Sequence, residues 1–490
     1  MIDIKEEVLP ISTLDNEPQG SEGSAFEILN ALLENLNRKV VVLDDDPTGV
    51  QAVHDIPVYT DWFPKTLEQA FLEEGSMFFI LTNSRSLTKE QTVVIHKEMA
   101  ENIYAASKKS GKDFIIISRS DSTLRGHYPI ETETLRDAFK KYDIQFDGEI
   151  IYPFFKEGGR LTVENIHYVK DGDNLIPAAE TEFAKDKVFG YHHSYLPNWC
   201  EEKTEGKYKA EDVVCISLDD LRKNNTDVIT SQLQSVTDFE KIIVNSTEYS
   251  DVAVFIAAFI KATLNGKRFM FRSAAAVTKV LGGVSDQPLL TRDQLISSKQ
   301  GQAEGADGQY GGIVLVGSYV NKTTKQLESL QNSDLPLTYI EFDVQMALKE
   351  NGLIEESDRV RKALAAEIMQ GRSVAIYTSR TYLDMSEQSK EMQLELSVNI
   401  STALTNIIEK LTVKPSFIIA KGGITSSDIG TKALHVRRAM VMGQVSPGIP
   451  VWLTDADSKF GNMPFIIFPG NVGDEDTLKN VVEMLIKEKV

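Results

Sequence analysis

Short runs of apolar residues, many of them β-branched, recur along the chain and alternate with amphipathic stretches. In the first half of the chain these runs cover residues 40–43, 77–82, 114–118, 149–154, 213–217, 241–246 and 268–272. They scarcely alternate with polar residues, which is the pattern of strands buried on both faces of a parallel sheet. Residues 248–264, between two of the runs, carry an apolar stripe with helical spacing. The alternation predicts a doubly wound, mostly parallel α/β sheet.

The pattern breaks at residues 285–311, which are rich in Gln, Gly, Ser and Asp and show little periodicity. Apolar runs then resume at residues 312–318, 336–342, 373–379, 416–423, 451–455 and 465–470. A chain of 490 residues is also longer than one core usually supports, about 250–300 residues. We therefore expect two doubly wound α/β domains at 26–284 and 312–490, a linker at 285–311, and a loose polar arm at 1–25.

The net charge, the cysteines and the lack of long apolar segments indicate which partners and which compartment the protein has. The formal charge of −20 argues against non-specific binding to nucleic acid or to an anionic membrane, although a local arginine cluster can still bind an anionic substrate. The two cysteines, Cys200 and Cys215, stand outside any CxxC spacing and fit a reducing compartment. The first twenty residues lack the apolar region of a signal peptide, and no run reaches the roughly 18 apolar residues of a membrane span. The sequence thus predicts a cytoplasmic protein.

Polar residues follow the apolar runs of the first half, at the strand ends where doubly wound sheets bind ligands. These segments are Asp44–Gly49, Thr82–Arg85, Arg119–Gly126 and Lys156–Arg160. Three consecutive acids suit a shared cation or a general base, with helix capping and solvation as the plain alternative. Arg85, Arg125 and Arg160 follow different strands and could bind a carboxylate bidentately, whereas each alone could be a surface ion pair. Carboxylate and hydroxyl recognition together favour a sugar acid.

The strand ends of the second half carry small residues instead. They read Gly317-Ser318, Gly422-Gly423-Ile424-Thr425-Ser426 and Gly470-Asn471-Val472-Gly473. Glycines permit close backbone approach, and the free N–H groups of a helix start bind phosphate. Three such loops in one domain favour a nucleotide. The chain has neither the GxxxxGK[ST] of a P-loop nor a GxGxxG after its first strand, which counts against P-loop and NAD-binding proteins.

Taken together and in this order, the motifs resemble those of the four-carbon acid sugar kinases, which phosphorylate threonate, erythronate or 3-oxo-tetronate with ATP. The motifs of the first half are DDPTG at 45–49, SR at 84–85, DSTLRG at 121–126 and GRLT at 159–162. Those of the second half are VGSYVNKTT at 316–324, AKGGITSSD at 420–428, PGIPVW at 447–452 and PGNVG at 469–473. The resemblance runs from about residue 39 to the end of the chain. It implies a sugar-acid-binding N-terminal domain and an ATP-binding C-terminal domain, with Mg²⁺ accompanying the nucleotide.

Some positions depart from the family pattern. Asn83 stands where an acidic residue often precedes the Ser-Arg pair, and Ile424 where many relatives carry an acid. These departures bear on the choice of substrate and on the contacts with ATP more than on the class of reaction.

Our hypothesis assigns roles to these residues. Asp45 or Asp46 accepts the proton of the attacking hydroxyl, Arg85, Arg125 and Arg160 hold the substrate, and Asp121 and Ser122 bind its hydroxyls. ATP is expected at Gly317, Ser318, Gly422, Gly423, Ile424, Thr425, Gly470, Asn471 and Gly473. The active site is expected in the interdomain cleft, and no metal ligand is assigned.

Two other functions stay open at this point. One is an NAD-dependent hydroxyacid dehydrogenase, and the other is a non-catalytic sensor that binds a nucleotide and a sugar acid. We expect small-molecule partners and neither nucleic acid nor membrane, and the sequence leaves open whether the chain forms a homo-oligomer.

Overall fold

The chain is described by a computed structural model that covers residues 1–16, 22–297, 310–318, 320–380, 390–470 and 472–486. It divides into two compact units, Met1–Asp286 and Gln287–Val490. The expected linker at 285–311 begins at this division, and its residues 298–309 lie outside the described part. We refer to the two parts as the first unit and the second unit.

The first unit alternates strands and helices as the apolar runs predict. Its strands are β1 Leu9–Pro10, β2 Arg38–Asp44, β3 Ile56–Tyr59, β4 Met77–Leu81, β5 Asp113–Arg119, β6 Gly148–Tyr152, β7 Arg160–Val163, β8 Ile166–Asp171, β9 Asn174–Pro177, β10 Val214–Ile216, β11 Glu240–Val244 and β12 Phe269–Ser273. Its α-helices are α1 Glu22–Leu33, α2 Pro64–Leu72, α3 Lys89–Ser110, α4 Ile130–Lys140, α5 Leu196–Lys203, α6 Leu218–Arg222, α7 Thr226–Ser235, α8 Tyr249–Leu264 and α9 Ala275–Leu281.

The large sheet of this unit has the strand order β10-β11-β6-β12-β5-β2-β4-β3, and neighbouring strands run parallel. Its central strands are buried along nearly their whole length, which explains why their sequences are continuously apolar. A second, antiparallel sheet has the order β1-β9-β8-β7. The prediction of a mostly parallel α/β sheet is confirmed for the first unit.

The N-terminal residues differ from the loose arm that the sequence predicts for 1–25. The Glu6 carboxylate accepts hydrogen bonds from the backbone N–H groups of Ser194 and Tyr195, both at 2.8 Å. The backbone of Ile2 exchanges two hydrogen bonds with the Asn198 side chain, and β1 pairs with β9. Residues 1–16 are therefore bonded to the first unit, because their polar groups find partners on it, and α1 already begins at Glu22.

The second unit has its own sheet. Its strands are β13 Ile313–Val316, β14 Leu337–Phe342, β15 Ser373–Thr378, β16 Ile418–Lys421, β17 Arg438–Ser446, β18 Ile449–Thr454 and β19 Pro464–Phe468, and its α-helices are α10 Asn321–Gln331, α11 Gly352–Met369, α12 Lys390–Glu409, α13 Gly423–Asp428 and α14 Thr477–Ile486. The strand order is β17-β18-β19-β16-β13-β15-β14. Strands β19 to β14 of this order run parallel, whereas β17 pairs with β18 and β18 with β19 in antiparallel fashion.

Apolar side chains of the parallel strands and of α10 and α14 form the core of the second unit, among them Val314, Leu327, Ile419, Ile466 and Leu478. The antiparallel strand β17 alternates buried with partly exposed residues, as a strand covered on one face does. None of the helices in the described ranges is both long enough and apolar enough to cross a bilayer.

Candidate functional site

The carboxyl ends of five strands of the first unit lie level with one another. Asp44, the last residue of β2, is in register with Leu81 of β4 and Arg119 of β5. Ser273, the last residue of β12, is in register with Arg119 and with Tyr152 of β6. The polar segments that follow these strands therefore emerge along one edge of the sheet, as the doubly wound topology predicts.

Arg85 binds the acids that follow β2. Its Nη2 donates to Asp45 Oδ1 at 2.6 Å and its Nε to Asp45 Oδ2 at 3.1 Å, a bidentate pair, while its Nη1 lies 3.5 Å from Asp46 Oδ2. Asn83 makes this possible because its left-handed backbone, φ 52°, turns the chain directly after β4. The sequence predicts that Arg85 binds substrate, and in the structure its hydrogen bonds go to Asp45 and Asp46.

The first two of the three consecutive acids are buried. Burial raises the pKa of Asp44 well above its usual range, against the opposing charge of Arg119, whose Nη1 lies 3.8 Å from Asp44 Oδ1. Burial also raises the pKa of Asp45 to about 6, although the charge of Arg85 and its hydrogen bonds act in the opposite direction. A carboxyl group that titrates near neutral pH is suited to proton transfer.

Asp46 is the more accessible acid. Its side chain is 18 % exposed, against 2 % for Asp45. One oxygen, Oδ1, accepts from the backbone N–H of Thr48 at 2.9 Å and from the Thr48 hydroxyl at 2.6 Å, which fixes the turn after β2. The other oxygen, Oδ2, faces Arg85. Asp46 therefore combines a fixed orientation with partial exposure to solvent.

The Asp121–Gly126 loop after β5 carries a second acid–arginine pair. Arg125 Nε donates to Asp121 Oδ2 at 2.7 Å, and the Thr123 hydroxyl donates to the same oxygen. Burial alone would raise the pKa of Asp121, but the charges of Arg85 and Arg125 outweigh it and hold that pKa well below its usual range. Asp121 is thus a carboxylate, able to accept hydrogen bonds from hydroxyl groups.

Of the remaining predicted substrate residues, Ser122 belongs to this loop and Arg160 lies beside it. The guanidinium carbons of Arg125 and Arg160 lie 5.0 and 5.7 Å from the ring centre of Phe183, so both arginines pack against one ring. Arg160 is also close enough to Asp121 for the charge of that carboxylate to raise the pKa of Arg160. The net shift of the Arg160 pKa is downward because burial outweighs this attraction. The Ser122 carbonyl is bonded to His167 Nε2 at 2.8 Å. The structure therefore brings Arg85, Arg125 and Arg160 together around Asp121.

Glu131 of α4 is a residue of the site region that the sequence did not predict. Glu131 is buried in α4, accepts a 2.5 Å hydrogen bond from Ser84 Oγ and lies 3.4 Å from Ser118 Oγ. It ties the turn that carries Arg85 to β5. A buried glutamate five residues after the Asp121–Gly126 segment cannot be distinguished from a surface helix residue by sequence pattern alone.

The glycine loops of the second unit also converge. The loops after β13, β16 and β19 are neighbours because these strands are adjacent in the sheet. A Cβ atom on Gly317 would lie 2.4 Å from Thr425 Oγ1, and one on Gly422 or Gly470 would lie within 3.3 Å of the Ser318 side chain. Five of the predicted nucleotide residues, Gly317, Ser318, Gly422, Thr425 and Gly470, therefore lie against one another.

The other predicted nucleotide residues surround this group. Gly423 begins the short helix α13, and Ile424 in its first turn is 66 % exposed, which is unusual for a large apolar side chain. Gly473 follows in the same segment as Gly470, with a positive φ of 81°. Asn471 lies outside the described residues.

A buried lysine supports these loops and was not predicted. Lys421 ends β16, and its Nζ donates to the Pro469 carbonyl at 2.7 Å and lies 3.4 Å from the Gly470 carbonyl. Burial, together with the charge of Lys322, lowers the pKa of Lys421 to about 7. A lysine within a strand normally faces solvent, so the sequence offers no sign of this role.

Comparison with known protein families agrees with this division. A family profile described as a sugar-binding N-terminal domain matches residues 40–281, and one described as a nucleotide-binding C-terminal domain matches residues 313–478. Each match lies within one of the two units. No curated protein sequence matches the chain significantly.

Solved structures share the fold. A protein of Salmonella typhimurium LT2, provisionally named a tRNA synthase, aligns with a TM-score of 0.63 and 15 % identity over 90 % of this chain and 98 % of its own. A Haemophilus influenzae protein of the DUF1537 family aligns with a TM-score of 0.58 and 18 % identity over 91 % of this chain and 100 % of its own. At these identities the likeness concerns the fold. With both domain profiles matched in order and the DUF1537 fold shared along nearly the whole chain, the protein belongs to the four-carbon acid sugar kinase family.

Proposed function

We propose that the protein is an ATP-dependent kinase that transfers the γ-phosphate to a hydroxyl group of a four-carbon acid sugar of the threonate, erythronate or 3-oxo-tetronate type. The observation that carries the proposal is the gathering of Arg85, Arg125 and Arg160 around Asp121, beside the acids that follow β2. Guanidinium groups bind a carboxylate, and carboxylates bind hydroxyls, so the edge suits a small acid with several hydroxyl groups.

Within this proposal Asp46 is the stronger candidate for the general base. Its Oδ1 is held by Thr48, whereas its Oδ2 is turned toward Arg85 and is more exposed than the Asp45 carboxylate. Both carboxylate oxygens of Asp45 accept hydrogen bonds from Arg85, so Asp45 would orient that arginine. Proton removal from the attacking hydroxyl and orientation of the arginine are then separate tasks of adjacent residues.

The substrate carboxylate is assigned to Arg160 together with Arg125. Within the described part of the chain, Arg160 forms no salt bridge with a carboxylate, and its Nη1 donates to the Gly158 carbonyl. Because Arg160 has no carboxylate partner there, its charge is available to pair with the carboxylate of a ligand. Asp121 and Ser122 would then contact the hydroxyl groups at the other end of a short acid.

The nucleotide is assigned to the glycine loops of the second unit. Glycines at 317, 422 and 470 let these loops pack against one another, because a Cβ atom there would collide with or crowd Thr425 or Ser318. Glycine loops gathered at strand ends and at a helix start are a setting in which backbone N–H groups bind phosphate. Mg²⁺ would neutralise charge on the transferred phosphoryl group. The described residues contain no group of three or more His, Cys, Asp or Glu side chains that could hold a metal, so the phosphates would supply most ligands of such an ion.

The test is a coupled assay of ADP release with ATP, Mg²⁺ and a panel of D- and L-threonate, D- and L-erythronate and 3-oxo-tetronate. We expect turnover of at least one acid, and a loss of about 10²–10⁴-fold in kcat for Asp46→Asn. The matched control is Asp219→Asn, which removes a carboxylate from a surface ion pair with Lys223 and should leave kcat unchanged.

Absence of turnover with every acid would refute the kinase assignment. Reduction of NAD by the same acids would favour a dehydrogenase, and binding of ATP and an acid by calorimetry without turnover would favour a sensor. Unchanged activity in Asp46→Asn would remove Asp46 from the mechanism.

A further inference from the structure

Arg272 is among the largest fully buried side chains of the first unit. It is the next-to-last residue of β12 and is 2 % exposed. Its guanidinium carbon lies 5.2 Å from the ring centre of Tyr128 and 5.0 Å from that of Trp199, and these two rings stack on each other at 4.5 Å. The aromatic pair holds the arginine in one orientation.

The hydrogen bonds of Arg272 go to the Asp121–Gly126 loop. Its Nη2 donates to the Leu124 carbonyl at 3.2 Å and to the Arg125 carbonyl at 3.1 Å. Leu124 has a left-handed backbone, φ 68°, which is strained for a residue with a side chain. The loop therefore holds an unfavourable conformation at the point where Arg272 binds it.

Arg272 has no carboxylate partner at salt-bridge distance among the residues that the structure describes. Burial of a charge is costly, and a paired or apolar side chain would fill the same space at lower cost. The two carbonyl groups therefore account for its presence better than core packing does. These two carbonyl groups belong to the consecutive residues Leu124 and Arg125. The guanidinium of Arg125 in turn binds the Asp121 carboxylate.

We propose that Arg272 is a positioning residue that keeps the Asp121–Gly126 loop in the conformation that binds the sugar acid. This inference rests on the proposed function for the identity of the ligand. The Arg272 guanidinium fixes the carbonyl of Arg125, and the Arg125 side chain fixes the Asp121 carboxylate. Loss of Arg272 releases Leu124 from its strained conformation and moves both charged groups.

The experiment compares Arg272→Met and Arg272→Lys with wild type by two measurements. The first is hydrogen exchange of the backbone amides of residues 120–127, which requires no substrate. The second is the set of KM values for ATP and for whichever acid of the panel the wild type phosphorylates. We expect faster exchange in Arg272→Met, a KM for the acid raised roughly tenfold through the loss of two charge-assisted hydrogen bonds, and an unchanged KM for ATP.

Arg272→Lys retains the charge and a single donor nitrogen with three N–H groups but not the planar fork, so its exchange rate and KM should lie between those of the other two proteins. Arg268→Met is the matched control. Arg268 precedes the same strand at its opposite end, binds both oxygens of Asp113 at 2.8 and 2.7 Å, and lies 5.5 Å from the Phe114 ring centre. Arg268→Met should lower the melting temperature without altering hydrogen exchange at residues 120–127 or the KM for the acid.

The inference is overturned if Arg272→Met lowers the melting temperature as Arg268→Met does but leaves the loop exchange and the KM for the acid unchanged. If Arg272→Met does not fold, Arg272→Lys decides by the same comparison. Wild-type protein that phosphorylates no acid would refute the proposed function, and the exchange measurement would then decide by itself whether Arg272 orders the loop.

Discussion

At the scale of single residues, the site of the first unit depends on the balance between burial and charge at Asp45. Burial favours the protonated carboxyl group, whereas Arg85 favours the carboxylate, and the outcome is a pKa of about 6. The bidentate pair with Arg85 requires the carboxylate form. The charge state of Asp45 therefore determines whether Arg85 is held in place near neutral pH.

This balance predicts an acidic limb in the pH profile of the kinase reaction. Asp45 is protonated below about pH 6 and ionised above it, so kcat/KM for the acid should rise with pH through about 6 and then level off. Because the limb reflects the pairing of ionised Asp45 with Arg85, Arg85→Met should lower kcat/KM and lose the dependence on pH near 6. The measurement is kcat/KM from pH 5 to 8 with saturating ATP.

Arg136 of α4 provides the control for that profile. Its guanidinium pairs with Glu133 and Asp137 and is not among the charges that act on Asp45, so Arg136→Met should leave the limb in place. A limb that persists near pH 6 in Arg85→Met would contradict its assignment to the Asp45–Arg85 pair.

Lys421 gives a second prediction at this scale, for stability. Its pKa falls to about 7 in the folded protein, below the ordinary lysine value of roughly 10.4. The unfolded state then binds more protons between these values, so the free energy of unfolding gains from Lys421 as pH rises above about 7, by at most about 1.4 kcal/mol per pH unit. Lys421→Met lacks this gain. Urea unfolding of both proteins at pH 7 and pH 9 measures the difference.

Lys459 supplies a matched control. Its Nζ also donates to a backbone carbonyl, that of Glu409, and lies 5.4 Å from the ring centre of Phe460, but the side chain is not fully buried. Wild type and Lys459→Met should change in parallel between the two pH values. If Lys421→Met also follows wild type in parallel, the lysine does not titrate in this range.

At the scale of elements, sequence pattern predicts the strands of the large sheets well because they are continuously buried. The apolar run at 40–43 lies within β2, Arg38–Asp44, and the stripe at 248–264 coincides with α8, Tyr249–Leu264. The antiparallel strands β7 to β9 were not predicted. They are only 4 to 6 residues long and mix exposed with buried positions, so no apolar run marks them.

The same limit applies to the site. The position of a polar segment after a strand is a local property, and it predicts that Asp45, Arg85 and Asp121 share one sheet edge. Which arginine binds which acid depends on the turn at Asn83 and on the burial of each side chain, and these arise only in the folded chain. The supporting roles of Lys421 and Arg272 are equally invisible in sequence, because their partners are backbone carbonyls of distant segments.

The contact between the β13 and β16 loops yields a prediction for Gly317. In Gly317→Ala the new Cβ would lie 2.4 Å from Thr425 Oγ1, so one loop must move. We expect a loss of stability of about 1–3 kcal/mol and a weaker affinity for ATP, measured by urea unfolding and by calorimetry. The Gly75→Ala control, whose Cβ would have 3.8 Å to its nearest neighbour, should change neither quantity.

A double variant tests the cause. Thr425→Ala removes the Oγ1 and Cγ2 atoms that lie nearest to the new Cβ at position 317. The Cβ that remains at position 425 would lie 3.4 Å away, which is an ordinary contact. Gly317→Ala/Thr425→Ala should therefore recover most of the stability lost in Gly317→Ala. A double variant as unstable as the single one would show that crowding against Thr425 is not the cause.

At the scale of the whole molecule, the chain carries a charge of −20 and is proposed to bind two anions. Its overall field opposes such ligands, so binding depends on local positive groups. Under the proposal these are the arginines around Asp121 in the first unit and the backbone N–H groups of the glycine loops in the second. Each unit has its own core, and under the proposal each supplies the groups for one ligand.

This separation predicts that the two ligands can be lost one at a time. Arg160→Met removes the group assigned to the substrate carboxylate, so it should abolish the rise in melting temperature produced by the phosphorylated acid and retain the rise produced by ATP with Mg²⁺. Gly317→Ala should show the reverse, because a ligand stabilises a protein only in proportion to its affinity for the native state. Thermal unfolding of both variants at several concentrations of each ligand measures these shifts, with Asp219→Asn as the variant that keeps both. If Arg160→Met removed both shifts, the acid and the nucleotide would depend on the same groups, and the assignment of one ligand to each unit would be wrong.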